Sequence, residues 1–228
     1  HARALGVAAA QSRPGAAVQG RAMIIRDRIA EAPEEYRRRP RTRAEVLADV
    51  LHQTSFEWRY ENPMWARVRA HAVVHQGGQV TLLHSILTRM RYGCGLGNAY
   101  AINTEIEGNL PLEYRDGEPV YWRPEKYGRS VLTPEQITSG RELLAWTREQ
   151  VPGLRVGCHR QIELDRSGCC GPDIWAAIGQ YGIDVLGMPE MATTGGRPIP
   201  DSWRSTNSSE FPISSVRAYQ GPLEVTGA

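Results

Sequence analysis

The sequence predicts one α/β (α+β) domain: a central mixed β-sheet flanked by helices, with extended arms at both ends. Three stretches carry that expectation. HAVVHQGGQVTLLHSI holds two β-rich runs, His71–His75 and Val80–Ile86, around Gly77-Gly78, a dipeptide that closes hairpins. AYAINTEIEGN alternates, placing Ala101, Asn103, Glu105 and Glu107 on one side of a strand and Tyr100, Ile102, Thr104 and Ile106 on the other. Thr133-Pro134-Glu135-Gln136 supplies an N-cap, a first-turn proline and a capping-box glutamine, so a helix begins there and stops at Pro152-Gly153.

The other elements follow in order. Residues 1–42 are rich in Ala, Gly, Pro and Arg and predict a basic arm with one short helix over Ala22–Tyr36. Val46, Leu47, Val50 and Leu51 lead into His52-Gln53-Thr54, a buried strand with a polar end, and a strand end is a rigid mount for a ligand. Trp58, Tyr60 and Trp65 mark an aromatic connection that suits core or rim packing. Leu154–Cys158 is a short strand delivering His159. Pro172 opens a helix with Ile174, Ala177, Ile178 and Tyr181 on one stripe. The domain is thus expected over residues 43–186, with 187–228, dominated by Met, Thr, Gly, Pro and Ser, as a tail or linker.

Charge divides the chain. Residues 1–43 hold ten arginines against Asp27, Glu31, Glu34 and Glu35, although the net charge of the whole is only +2. A basic arm on an acidic body suits a solvated linker within a larger assembly, or contact with an anionic polymer such as nucleic acid or cell wall. No apolar run approaches the roughly 20 residues of a membrane-spanning helix, and the first residues lack signal-peptide order. Four cysteines, Cys94, Cys158, Cys169 and Cys170, are too few for a disulfide framework in this length. Metal binding is the first expectation, with a Cys94–Cys158 disulfide as the alternative.

The chemistry concentrates in GCHRQIELDRSGCCGPDIW, residues 157–175, where a histidine precedes a cysteine pair by ten positions. Imidazole and thiolate are favoured zinc ligands, and an irregular loop between them lets both face one ion. The residues alone leave Cys169 and Cys170 as alternatives, and likewise Glu105 and Glu107 as the acid. His71, His75 and His84 suit hairpin structure or groove lining.

The order of parts resembles the type-2 N-acetylmuramoyl-L-alanine amidases, whose zinc fold is shared by phage endolysins and peptidoglycan recognition proteins. It is carried by a strand ending His-x-Thr, a hairpin starting Ala-His, a strand reading Ile-x-x-Glu-Ile-Glu-Gly, a helix, then His-Arg…Cys-x-Gly-Pro, over about residues 45–180. The resemblance implies zinc held by His52, His159 and Cys169, with Glu105 moving the proton. It implies hydrolysis of the lactyl–L-alanine amide of peptidoglycan at the bacterial cell wall, by a phage-encoded or secreted enzyme. A non-catalytic peptidoglycan-binding module of the same fold is the alternative, and a structural zinc domain with a nucleic-acid-binding arm a third. Ser167 stands where the family often has a lysine that stabilises the oxyanion, leaving Arg166 or Arg160 for that role. Ala70 stands where many relatives have a tyrosine. The short segment between His52 and His71 implies a missing helix and a more open cleft.

Overall fold

The computed structural model describes Met23 and residues 25–204. Ten strands form among the described residues: β1 (Ile25–Asp27), β2 (Arg37–Pro40), β3 (Ala48–Gln53), β4 (Ala72–Val74), β5 (Val80–Leu82), β6 (Thr88–Met90), β7 (Ala101–Ile106), β8 (Glu113–Arg115), β9 (Glu118–Val120) and β10 (Arg155–Cys158). Six build the central sheet, in the order β1-β5-β4-β7-β3-β10. It is mixed: β4 and β5 form the antiparallel hairpin, whereas β4, β3 and β10 add in parallel around β7. β2 pairs with β6, and β8 with β9, as separate two-stranded ribbons.

Helix α1 (Pro124–Tyr127) is a single turn, and α2 (Pro134–Gln150) is the long one. Thr133 Oγ1 accepts from the Gln136 N–H while the Gln136 side chain accepts from the Thr133 N–H, so the box read in the sequence closes. The later helical segment runs from α3 (Pro172–Ile174) through the π-helical Trp175–Gly179 to α4 (Gln180–Asp184). Leu143, Leu144, Trp175 and Ile178 pack on Leu51, Ile102 and Ile106 of the sheet in the main core. Each such burial contributes on the order of 1.5–3 kcal/mol. Gly140 permits the close approach, since a Cβ there would meet Ile178 Cδ1 at 2.5 Å. No helix among the described residues is long and apolar enough to cross a membrane.

The helix expected over Ala22–Tyr36 does not form. Ile25–Asp27 pairs with the free edge of β5 instead, and two 3-10 turns, Ile29–Glu31 and Glu34–Tyr36, follow. Pro33 lies between the turns, where its ring forbids a continuous helix. Of the expected basic arm, residues 1–22 lie outside the described residues.

At the other end of the sheet, residues 187–204 lie against the domain. The Val156 N–H donates to Pro189 O and the Met191 N–H to Val156 O, so this segment runs along the outer edge of β10. Met188, Met191, Ile199 and Trp203 are buried. Residues 205–228 lie outside the described residues.

A candidate metal centre

The pleat of β3 decides what faces where. Leu51 points into the core under the helices, whereas Ala48 and Val50 join a second cluster on the opposite face with Ala101, Cys94, Ile162 and Met191. His52 continues that second face. In register with it across the parallel pair lies Glu105 of β7. His159 begins a 3-10 turn where β10 ends next to β3, and the loop from Ile162 returns Cys169 to the same place.

The ligand atoms of His52, His159 and Cys169 all lie within 4.8 Å of one another. His52 Nδ1 and His159 Nδ1 approach to 3.0 Å. Their other nitrogens are committed: His52 Nε2 meets Asn103 Oδ1 at 3.2 Å, and His159 Nε2 meets Glu163 Oε2 at 3.1 Å. Each of those oxygens accepts, so each Nε2 carries its ring's proton and the two Nδ1 lone pairs converge. Burial, then the neighbouring His159, drives the His52 pKa well below its ordinary value. Burial also lowers His159, against the pull of Glu163. Both imidazoles are thus held neutral, the form that ligates a metal. Two lone pairs and a sulfur facing one point suit a divalent ion such as zinc, and this donor set fits it.

The cysteine pair divides in two. Cys169 is half-buried and faces the histidines; burial, then Cys158 and Glu105, holds its thiol well above the ordinary pKa. Cys170 is fully buried in the main core, where its N–H donates to Cys158 Sγ at 2.8 Å. All four cysteines are free, so the alternative Cys94–Cys158 disulfide is absent. Cys94 belongs to the second cluster and Cys158 to the main core.

Glu105 adjoins the group with its Oε2 buried and without a hydrogen-bond partner. Burial raises its carboxyl to about 8, opposed by the Arg166 guanidinium. The Arg166 side chain is 54% exposed, with Nε 3.9 Å from both Glu163 and Asp165, at the mouth of the group. Arg160 is turned elsewhere. It donates to Ser167 O and lies 4.5 Å from the Trp203 ring, in the wall of a cavity of about 360 Å³ that Tyr114 and Gly168 also line.

Two supports have weaker signals in the sequence. Asn103 shares the alternation side of Glu105, and Glu163 follows His159 by four residues; each fixes one imidazole. The main chain behind His159 is held as well. The N–H groups of Thr194, Gly195 and Gly196 converge on Gln161 O, and Arg197 N–H donates to Arg160 O at 2.7 Å. A Cβ at Gly196 would sit 1.9 Å from Arg160 O, so glycine is required for this approach. His71 is structural: Nε2 meets Thr88 O at 2.8 Å, and Nδ1 accepts from the Asn103 N–H at 2.9 Å. Trp65 is core, packed with Phe56 and Trp58.

No protein-family model matches the chain, and no curated protein does. Solved structures do. Bumblebee PGRP-SA aligns with a TM-score of 0.51 at 10% identity, over 74% of this chain and 99% of that one. The N-acetylmuramoyl-L-alanine amidase LysC from Clostridium intestinale aligns at 0.49 and 15% identity, over 72% and 97%. A tyrosine-to-phenylalanine mutant of Drosophila PGRP-LB in complex with tracheal cytotoxin aligns at 0.46 and 12% identity, over 73% and 96%. At these identities the likeness is one of fold: the chain has the type-2 amidase and peptidoglycan recognition protein fold.

Proposed function

We propose that the protein is a zinc-dependent N-acetylmuramoyl-L-alanine amidase, cutting the amide between the lactyl group of peptidoglycan and the first alanine of its stem peptide. The observation that carries this reading is the convergence of His52 Nδ1, His159 Nδ1 and Cys169 Sγ beside the unpartnered carboxylate oxygen of Glu105. Most buried carboxylate oxygens are hydrogen-bonded, so an unmatched one beside two converging imidazole lone pairs supports a ligand site. The fold supports the choice of substrate class.

His52, His159 and Cys169 would hold zinc, which would supply Lewis-acid polarisation of the amide carbonyl and acidification of water. The chain's own groups do the rest. Asn103 and Glu163 fix the imidazole tautomers, keeping both Nδ1 atoms free to ligate. Glu105 takes the proton of the attacking water and delivers it to the leaving nitrogen. Arg166, where relatives use a lysine one position later, stabilises the negative charge developing on the carbonyl oxygen.

The test is bound zinc and release of free stem peptide from purified cell wall, measured on wild type, Cys169→Ser and Glu105→Ala. Cys169→Ser is expected to lose zinc and activity together. Glu105→Ala is expected to keep zinc and lose about 10²–10⁴-fold in rate. Full zinc retention in Cys169→Ser would sink this ligand set, and wall binding without peptide release from wild type selects a non-catalytic binding module.

A further inference from the structure

An exposed ladder of arginine and tyrosine borders the candidate metal centre. The Arg69 guanidinium lies 5.1 Å from the Tyr36 ring centroid and 5.0 Å from that of Tyr92, while Arg91 lies 5.2 Å from Tyr92. The Arg91 N–H donates to Tyr36 O at 2.8 Å, tying the end of β6 to the start of β2. Tyr92 is 57% exposed, and both arginines are exposed. Ring contacts of this kind orient a guanidinium plane and leave its N–H edge outward.

These charges are not neutralised from within. Arg38, Arg43 and Arg67 are exposed too, and no carboxylate among the described residues pairs with any of these five arginines. Glu45 is engaged by Arg39 and Arg89. The other acids nearest along the chain, Glu34 and Glu35 before Arg38 and Glu61 before Arg67, are fewer than these five cations. A fixed, unpaired guanidinium array repels itself and gains most from a multivalent anion.

The ladder also leads into the centre. Tyr92 is followed by Gly93, where a Cβ would lie 2.2 Å from Asn103 Nδ2, and Asn103 is the partner of His52. In the same loop, a Cβ at Gly95 would meet Glu163 Oε1, the carboxylate that holds His159.

We propose that this arginine–tyrosine face docks a phosphodiester polymer borne by the cell wall, and thereby brings the wall strand to the His52–His159–Cys169 group. Phosphate offers the two-oxygen geometry that a guanidinium fork matches, and a polymer repeats it along the face. The need for a polyanion rests on the arginines alone; its location on the wall rests on the function proposed above.

The test uses the full chain in cosedimentation with intact wall and with wall stripped of phosphodiester polymer by hydrofluoric acid, and in titration with soluble poly(glycerol phosphate). Intact wall and soluble polymer are expected to bind, with affinity falling steeply from about 50 to about 300 mM salt. Arg69→Ala/Arg91→Ala is expected to lose about tenfold in affinity, and the corresponding double lysine variant less, because charge survives without the fork. Both variants are expected to keep wild-type zinc content, which reports an intact fold. Equal binding to intact and stripped wall, an undiminished alanine variant, or tighter binding of a single-stranded oligonucleotide of equal charge would overturn the proposal. Polymer binding without peptide release upholds docking and removes the amidase reading; peptide release without polymer binding does the reverse.

Discussion

Glu105 and Glu107 are two residues apart, and each adjoins a buried histidine. Around Glu107 the polar atoms are matched. Oε1 accepts from Trp58 N–H at 2.7 Å, Oε2 accepts from Gln76 N–H at 3.1 Å and meets His75 Nδ1 at 3.1 Å, and His75 Nε2 meets Thr81 Oγ1 at 2.8 Å. Tyr60 and Trp65 flank the His75 ring edge-on. Around Glu105 an oxygen has no partner and two imidazole lone pairs converge. On the function proposed above, the same residue types serve different ends. A saturated cluster rigidifies the fold, whereas an unsaturated one holds valence for a ligand that the fold itself does not supply.

The largest effect that can break this comparison is on stability. Glu107→Ala strips the acceptor from Trp58 N–H, Gln76 N–H and His75 at once, and is expected to cost about 3–5 kcal/mol in denaturant unfolding. If the loss is no greater than that of Glu105→Ala, the contrast between the clusters fails.

Asp49 is intermediate: Oδ2 accepts from Thr147 Oγ1 at 2.8 Å, while Oδ1 is buried without a partner. Burial, against hydrogen bonds that lower it, raises its pKa to about 6. The folded state then binds the proton more tightly than the unfolded chain. The stability this confers is full below about pH 4 and is lost as pH rises through about 6. Asp49→Asn, which does not titrate, is expected to be more stable than wild type by about 2–3 kcal/mol above pH 7, with the gap closing toward pH 4. Unfolding curves across that range check it.

The smallest effect sharpens the unsaturated side. Asn103→Ala leaves the His52 Nε2 proton without its acceptor and frees the ring to exchange tautomers, so zinc affinity is expected to fall about 10–100-fold, read by competition with a chelator. Global stability should change far less than in Glu107→Ala.

The hairpin, the α2 cap and the meeting of His52, His159 and Cys169 in space were legible because each rests on local chemistry or on a recognisable order of parts. The Asn103 and Glu163 supports were less so. Their residue types are ordinary, and only the register of β3 with β7 and the turn after β10 bring them to the rings. The stretch 22–36 misled for a related reason. Its charged composition favours a helix, yet the unpaired edge of β5 and Pro33 decide the outcome. Met188, Met191 and Trp203 were invisible as buried groups, because isolated apolar residues among Gly, Pro and Thr show no period.

The run of residues 189–191 along β10 bears on solubility. A sheet that ended at β10 would present a row of open amides and carbonyls, the template on which strands of other copies add. Val156 instead exchanges both its N–H and its carbonyl with Pro189 and Met191. The strand that delivers His159 is thereby closed to edge-to-edge self-association at its centre.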